Sequence, residues 1–537
     1  MKRVFAAGAG TFLFSASLAV IAAPAAHAST LNVPGSYRTI SAAIAAAHSG
    51  DTVLVAPGTY RESLTIIGKN VAVRSSGGAS RTIIAAPGGR SPVTFQNVGR
   101  TAQLWGFRIV SGNAPSGQGG GVTAANNASP TIAYNQIVSN RSVDGGGILA
   151  YGSSSPDIAY NTIQSNHVSV FGGGIFAYMG SNPTIRGNVI SGNTATDGGG
   201  GIYLEANSGN RSARAGGTVT QNHITGNSAG EAGGGIMLRT GEVAVISANV
   251  ITGNTAAYGG GIHVETNGSG PYITGNTINS NSAPTSSAYP GSGSGGGISV
   301  FGQSTPTIVH NSIAGNRSSQ YGGGLVLAEG SNSRVSANNI KLNATTNSGA
   351  FGGGVFVGNA STTFWNNIVQ RNTGHEGGGL ALAGTGTQII LNNSFVSNQT
   401  SSGSTPLGGG IFIGKQGVSV KNNLFLHNAN YQVFDASTAN AYANNLADVS
   451  VLGDFYSYHT GGNTTFARLN GNATFPAVQN IDGNAAVVNG PGGNYMLTAA
   501  SAAVNRARAS GAPTIDYRNA HRPYGGGYDI GAYEYTG

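Results

Sequence analysis

Pro183-Thr184-Ile185-Arg186-Gly187-Asn188-Val189-Ile190-Ser191-Gly192-Asn193, followed by Gly199-Gly200-Gly201-Ile202-Tyr203-Leu204-Glu205, is one unit of a pattern that fills most of this chain. A Gly triplet leads into a branched apolar residue, and Asn-x-apolar-x-x-Asn comes further on. Eleven triplets end at Gly121, Gly147, Gly174, Gly201, Gly235, Gly261, Gly297, Gly324, Gly354, Gly379 and Gly410. The first Asn of each pair is Asn135, Asn161, Asn188, Asn222, Asn249, Asn276, Asn311, Asn338, Asn367, Asn393 or Asn423, and the second always follows five residues later. A period on the order of 20 to 50 residues marks a solenoid, in which each unit buries its apolar face only against its neighbours.

Inside a unit the apolar and polar residues alternate with period two, as in half-buried strands. Ile202 and Leu204 are expected to point inward, and Tyr203 and Glu205 outward. The runs Pro183 to Arg186 and Val189 to Ser191 behave likewise, so each unit reads as three short strands and three bends. Stacking such units places every strand about 4.8 Å from its equivalent one coil away. The expected fold is an all-β, single-stranded parallel β-helix with three parallel sheets and about 13 coils. Asn suits a tight corner because it tolerates left-handed backbone, and stacked amides can bond in a ladder. The Gly triplet suits a corner where a side chain would clash. A calcium-loaded glycine-rich roll would instead repeat about nine residues as G-G-x-G-x-D, and here the acid precedes the glycines or is missing. No specific motif supports a bound Ca2+, and no cofactor or metal is expected.

The ends bound the rest. Met1-Lys2-Arg3, an apolar run to about Ala23 and the A-x-A pattern Ala26-His27-Ala28 read as a secretory signal peptide with mature start Ser29. The product is expected to be secreted or periplasmic, with no further membrane span. The division is 1–28 signal peptide, 29–113 N-terminal cap and first coils, 114–430 β-helix repeats, and 431–537 closing coils and irregular C-terminal cap. With no Cys, stability must come from a long packed core rather than disulfides. Removing Lys2 and Arg3 from 26 basic residues leaves 24 against 18 acidic, so the mature charge is +6. Arg forks suit carboxylates and sulfates, although a genome that favours Arg codons would give the same composition. Basic runs suited to nucleic acid are missing, so no nucleic-acid partner is expected.

Thr39 to Ala47 places Ile40, Ala43, Ile44 and Ala47 on one helical face, fit to cap the bottom of the core. This opening segment reads Tyr37-Arg38-Thr39-Ile40, Ala43-Ile44, Gly50-Asp51-Thr52-Val53 and Gly58-Thr59-Tyr60-Arg61-Glu62. It resembles the pectin-lyase-like superfamily, whose members commonly begin Y-x-T-I-x-x-A-I, G-D-T-V, G-x-Y-x-E, and the resemblance implies a right-handed β-helix. The ending Asp529-Ile530-Gly531-Ala532-Tyr533-Glu534-Tyr535 resembles the D-I-G-A-Y/F-E tail of exported bacterial β-helix proteins, and is expected to cover the open top of the solenoid. The strings characteristic of pectate lyases, polygalacturonases and pectin esterases are absent, so the resemblance carries over no catalytic residue.

Stacked columns supply a further test. The first outward position after the triplet includes Tyr203, Met237 and His263, and the second runs through Tyr151, Tyr178, Glu205, Arg239 and Glu265. Two coil steps separate Glu205 from Glu265, about 10 Å along the axis, near the spacing that lets an inverting glycosidase seat a water. The candidate catalytic residues are Tyr203, Glu205, Arg239, His263 and Glu265. Tyr151, Tyr178, Met237, Arg211 and Arg214 are candidate substrate-binding residues, the two arginines brought by an insertion between Asn207 and Gly217. In a hydrolase one Glu would protonate the glycosidic oxygen while the other activates water. In a lyase Arg239 would neutralise a uronate and His263 or Tyr203 would take the adjacent proton. A Glu-Arg-Glu surface ladder with no chemistry fits the same residues. Asp144, Asp197, Glu231 and Glu376 flank triplets, where capping of corner N–H groups competes with cation binding. His223, His310 and His427 stand at bends and are expected to face solvent.

The expectation is an exported monomer that binds an acidic polysaccharide or cell-surface glycan and, if catalytic, cleaves it as a lyase or hydrolase. A non-catalytic surface or adhesion protein is the alternative. Export from a bacterial host should yield a chain beginning at Ser29 on N-terminal sequencing; a retained Met1 would overturn the leader reading.

Overall fold

A computed structural model describes residues 28–537 apart from 116–118, 207–215, 266–267, 402–406, 449–453, 458–461, 472–476 and 491. The described residues form three long sheets of 17, 16 and 16 strands. Each coil adds one strand to a pre-asparagine sheet (Thr184–Arg186), one to an inter-asparagine sheet (Val189–Ser191) and one to a post-glycine sheet (Ile202–Glu205). Pairing is parallel and in register: Ile185 lies beside Val219, Ile190 beside Ile224 and Ile202 beside Ile236. These inward positions form one continuous, fully buried core. The third bend also carries two short ladders of two-residue strands, such as Thr194–Ala195 beside Ser228–Ala229, in addition to the three expected sheets.

The bends are held by side-chain amides. The Asn188 backbone N–H donates to Asn222 Oδ1 at 2.9 Å, while Asn188 Nδ2 donates to the same oxygen at 3.0 Å and to the Ile158 carbonyl at 2.8 Å. Asn193 repeats the arrangement with Asn227 and Ile163. The first ladder runs from Asn135 to Asn480. The second runs from Asn140 to Asn428. The left-handed backbone expected at Asn belongs to the residue before it: Tyr134, Tyr160, Gly187, Gln221 and Ala248 have φ between 54° and 63°. That residue turns the corner, which leaves the Asn side chain directed inward along the stack.

Each glycine of a triplet meets a different obstacle. A Cβ on Gly199, whose φ is +68°, would lie 2.5 Å from the Tyr203 Cβ. One on Gly173 would lie 2.5 Å from the Gly200 carbonyl oxygen, and one on Gly174 would meet both the Gly201 carbonyl and Ile190. The triplet therefore doubles back over the start of its own strand while packing against the next coil.

The N-terminal helix spans Ile40–Ala46, buries Ile40, Ala43 and Ile44, and is capped by Thr39, which accepts from Ala42 N–H at 3.1 Å. The acids of the opening motifs hold this cap in place. Glu62 accepts from the N–H groups of Ile40 and Ser41 at 3.0 and 2.9 Å, and Asp51 accepts from those of Ser29 and His48, both at 2.8 Å. At the other end, a short helix at Phe466–Leu469 packs Phe466 and Leu469 into the main core, with Phe466 stacked 5.4 Å from Phe425. The C-terminal tail lies elsewhere, along a flank rather than across the top. Ile530 and Ala532 pack on Ile368, Val396 and Leu424, outward positions of the inter-asparagine sheet that have become apolar and need cover. Gly531 has φ +97°, and a Cβ there would come within 3.0 Å of Leu424. Buried Arg522 pairs with Glu534 at 3.4 Å and donates to the carbonyls of Asp529 and Gly531 at 2.9 and 2.8 Å. The tail motif is thus a polar lock.

Asn227→Ala should destabilise the protein by about 2 to 5 kcal/mol, since it strips partners from two or more buried groups. Ser247→Ala, on the outer face, should change stability by no more than about 0.5 kcal/mol. Denaturant midpoints measure both, and equal effects would refute the ladder's role.

Candidate functional site

The glycine corners decide which outward residues reach solvent. Because each triplet folds over its own strand, the first outward column is covered: Tyr203 is 0 %, Met237 1 % and His263 2 % exposed. This corrects the expectation that these three side chains meet a ligand directly. Tyr203 and Met237 instead belong to an outer apolar cluster with Leu149, Phe176 and Ala232. The Tyr203 ring lies 4.7 Å from Phe171 and 4.9 Å from Phe176. His263 is held by Ser299 Oγ at 2.6 Å from Nδ1, while its Nε2 faces Glu265 at 3.8 Å. The two bases of the lyase arrangement, Tyr203 and His263, are therefore enclosed beneath the corner.

The second outward column stays partly open. Glu205 pairs in register with Arg239, and Arg239 with Glu265. Arg239 Nε is 3.6 Å from Glu265 Oε2, with side chains 36 % and 30 % exposed. Tyr203 Oη donates to Glu205 Oε2 at 3.5 Å from below. Further back, Tyr151 and Tyr178 hold their rings tilted to each other with centroids 5.8 Å apart and remain half-buried. Arg211 and Arg214 lie outside the described residues.

Equivalent positions in the repeat carry unequal carboxyls. Burial pushes the Glu205 carboxyl above its ordinary 4.5, against the opposing pull of Arg239 and Tyr203. Glu265 goes the other way, lowered by the imidazole of His263 beside it and by Arg239. The two acids favour opposite protonation states at one pH, the property that separates a general acid from a base.

Several contributors were not singled out from the sequence. Glu242, 1 % exposed, has one carboxyl oxygen buried without a hydrogen-bond partner, and burial together with Glu205 raises its pKa well above the ordinary range. A cavity of about 380 Å³ continues the column beyond Glu265, walled by Tyr258, Phe301, Tyr321 and Phe356 with Glu329 at its margin. Small residues Ala328, Gly358 and Ala383 floor it. Its near wall includes Pro290 and Gly291, from a second insertion between Asn281 and Gly297. The signal was present, since that leg is more than twice as long as the one from Asn254 to Gly261.

Of the acids beside triplets, Asp144 caps the Phe171 N–H at 3.1 Å. His223 and His310 are exposed, and exposed His427 pairs with Asp448. Among the described residues no three His, Cys, Asp or Glu side chains converge as a metal site, and no helix is long and apolar enough to cross a membrane.

Residues 211–399 match the family described as the right handed beta helix region. The chain is a parallel β-helix, and the stretch this family matches is described as right handed. Residues 62–214 and 110–292 also match the periplasmic copper-binding protein family NosD. Among solved structures, an alginate lyase from a Paenibacillus species is 12 % identical, with 62 % of this chain and 99 % of that one covered and a TM-score of 0.29. A pectate lyase is 14 % identical over 92 % of this chain and 90 % of its own, with a TM-score of 0.25. A mannuronic acid specific lyase from human gut microbiota is 10 % identical over 82 % and 87 %, with a TM-score of 0.26. Likenesses this distant bring no activity to this β-helix. No curated protein matches it.

Carboxyl-resolved NMR titration should find Glu205 above 4.5 and Glu265 below it, and Arg239→Met should move both upward. Glu265 then stabilises the fold above pH 4.5, and that contribution is lost as pH falls through its lowered folded value. The contribution of Glu205 is present below pH 4.5 and lost as pH rises through its raised value. Coincident titrations would remove the acid–base distinction.

Proposed function

We propose that this β-helix is an exported glycan-active protein that binds a polysaccharide along its post-glycine face and hydrolyses it with inversion. Glu205 serves as general acid and Glu265 as general base. The observation that carries the reading is the pair itself: two partly open carboxyls of opposite protonation preference, joined through Arg239 and continued by an aromatic-walled cavity. Two strand spacings set their backbones about 9.6 Å apart, close to the top of the carboxyl separation that admits a water beside the sugar. Tyr203 and His263 act as positioning residues, the first beneath Glu205 and the second behind Glu265. Tyr258 and Phe301 offer faces on which pyranose rings stack.

Incubation with a panel of neutral, acidic and amino polysaccharides, followed by reducing-end assay and anomeric NMR, tests this reading. Cleavage with inverted product is expected, and Glu205→Gln and Glu265→Gln should each lower kcat by about 10²- to 10⁴-fold. An unsaturated uronate product, or activity surviving either substitution, would overturn the assignment. Tight binding without cleavage of any polymer would favour an adhesive role.

A further inference from the structure

We infer that the post-glycine groove takes a polymer of protonated amino sugars rather than the acidic glycan suggested by an Arg-rich composition. The inference rests on the glycan reading above and names the charge class of its substrate. The chain as a whole is basic, at +8, yet four of its eight Glu, namely 205, 231, 265 and 329, lie along this one face. Glu205 and Glu265 sense each other, Glu231 senses Glu265 and Asp197, and Tyr258 stands within the field of both Glu231 and Glu329. Among the described residues, Arg239 is the one guanidinium these acids face, and Tyr203, Glu205 and Glu265 already engage it. Among the described residues lining the cavity, Glu329 is the one charged side chain, so a uronate entering there would meet like charge.

A protonated aminopyranose would meet complementary groups. Its apolar C–H face can stack on Phe301 or Tyr321, and its ammonium can sit against Tyr258, where a desolvated cation–π contact is favourable. The Glu329 carboxylate at the margin supplies a charge-assisted hydrogen bond, and an ammonium has three N–H donors to give. The cavity, about 380 Å³, lies within the range of small-ligand sites, and it interrupts an otherwise filled column where Ala328, Gly358 and Ala383 leave room.

Calorimetric titration of the whole mature chain at mildly acidic pH with three probes tests the inference: oligomers of glucosamine, of N-acetylglucosamine and of galacturonate. Glucosamine oligomers should bind at least about tenfold more tightly than the N-acetylated ones and lose that margin with added salt. Glu329→Gln, at an exposed position, should erase much of the preference, and Phe301→Ala should weaken both amino and N-acetylated probes. Equal binding of the two, or tighter binding of galacturonate that Arg239→Ala abolishes, overturns the charge assignment while leaving a glycan site standing. Binding of none of the three, with no product from the polymer panel, overturns the site reading as well.

Discussion

Every coil of this protein must turn its backbone inside a narrow core, and a peptide group buried at a turn with no partner costs about 1 to 3 kcal/mol. The asparagine ladders meet that requirement, because each amide satisfies the coil on either side of it. A ladder works only if every coil presents Asn at the same place. The five-residue step between paired Asn residues is therefore invariant, and added length can go only into the two legs that flank the post-glycine strand. Both large insertions do so, one following Glu205 and the other between Asn281 and Gly297. The constraint that closes the corners thus also selects the face that can be walled.

The glycine triplets add a second layer to that face. By lying across the first outward column they create an apolar underlay of Phe171, Phe176 and Tyr203, against which the second column stands half-buried. A charged ladder on a flat, solvated sheet would contribute little beyond weak pair energies. Over this underlay the carboxyls lose water, so their neighbours decide their protonation. Burial raises Glu205 against the pull of Arg239 and Tyr203, whereas Glu265 faces a histidine and falls. One repeat position therefore holds two chemically different acids.

The ends show how local motifs serve the fold. Glu62 and Asp51 cap the N-terminal helix and its approach, which explains acids in the opening segment without any catalytic role. At the far end, the closing helix at Phe466–Leu469 shields the core, and the tail occupies a flank that turns apolar from Ile368 onward. A tail reading D-I-G-A-Y-E gives no hint of which surface it will cover, since its docking partners are more than a hundred residues away in sequence.

Periodicity alone determined the coil, its three main strands, the inward Ile columns and the two asparagine ladders, because each depends on contacts between equivalent residues one repeat apart. It also placed Glu205, Arg239 and Glu265 in one column, as register requires. Only the tertiary structure decided that Tyr203, Met237 and His263 are covered, that the corner residue before each Asn takes the left-handed backbone, and that Phe301, Tyr321 and Glu329 line one cavity beyond them. Alternation tells inward from outward, but an outward residue is exposed only if no other segment returns across it. That return is made by glycines, whose missing side chains let two backbones approach more closely than any residue pattern along a single strand reveals.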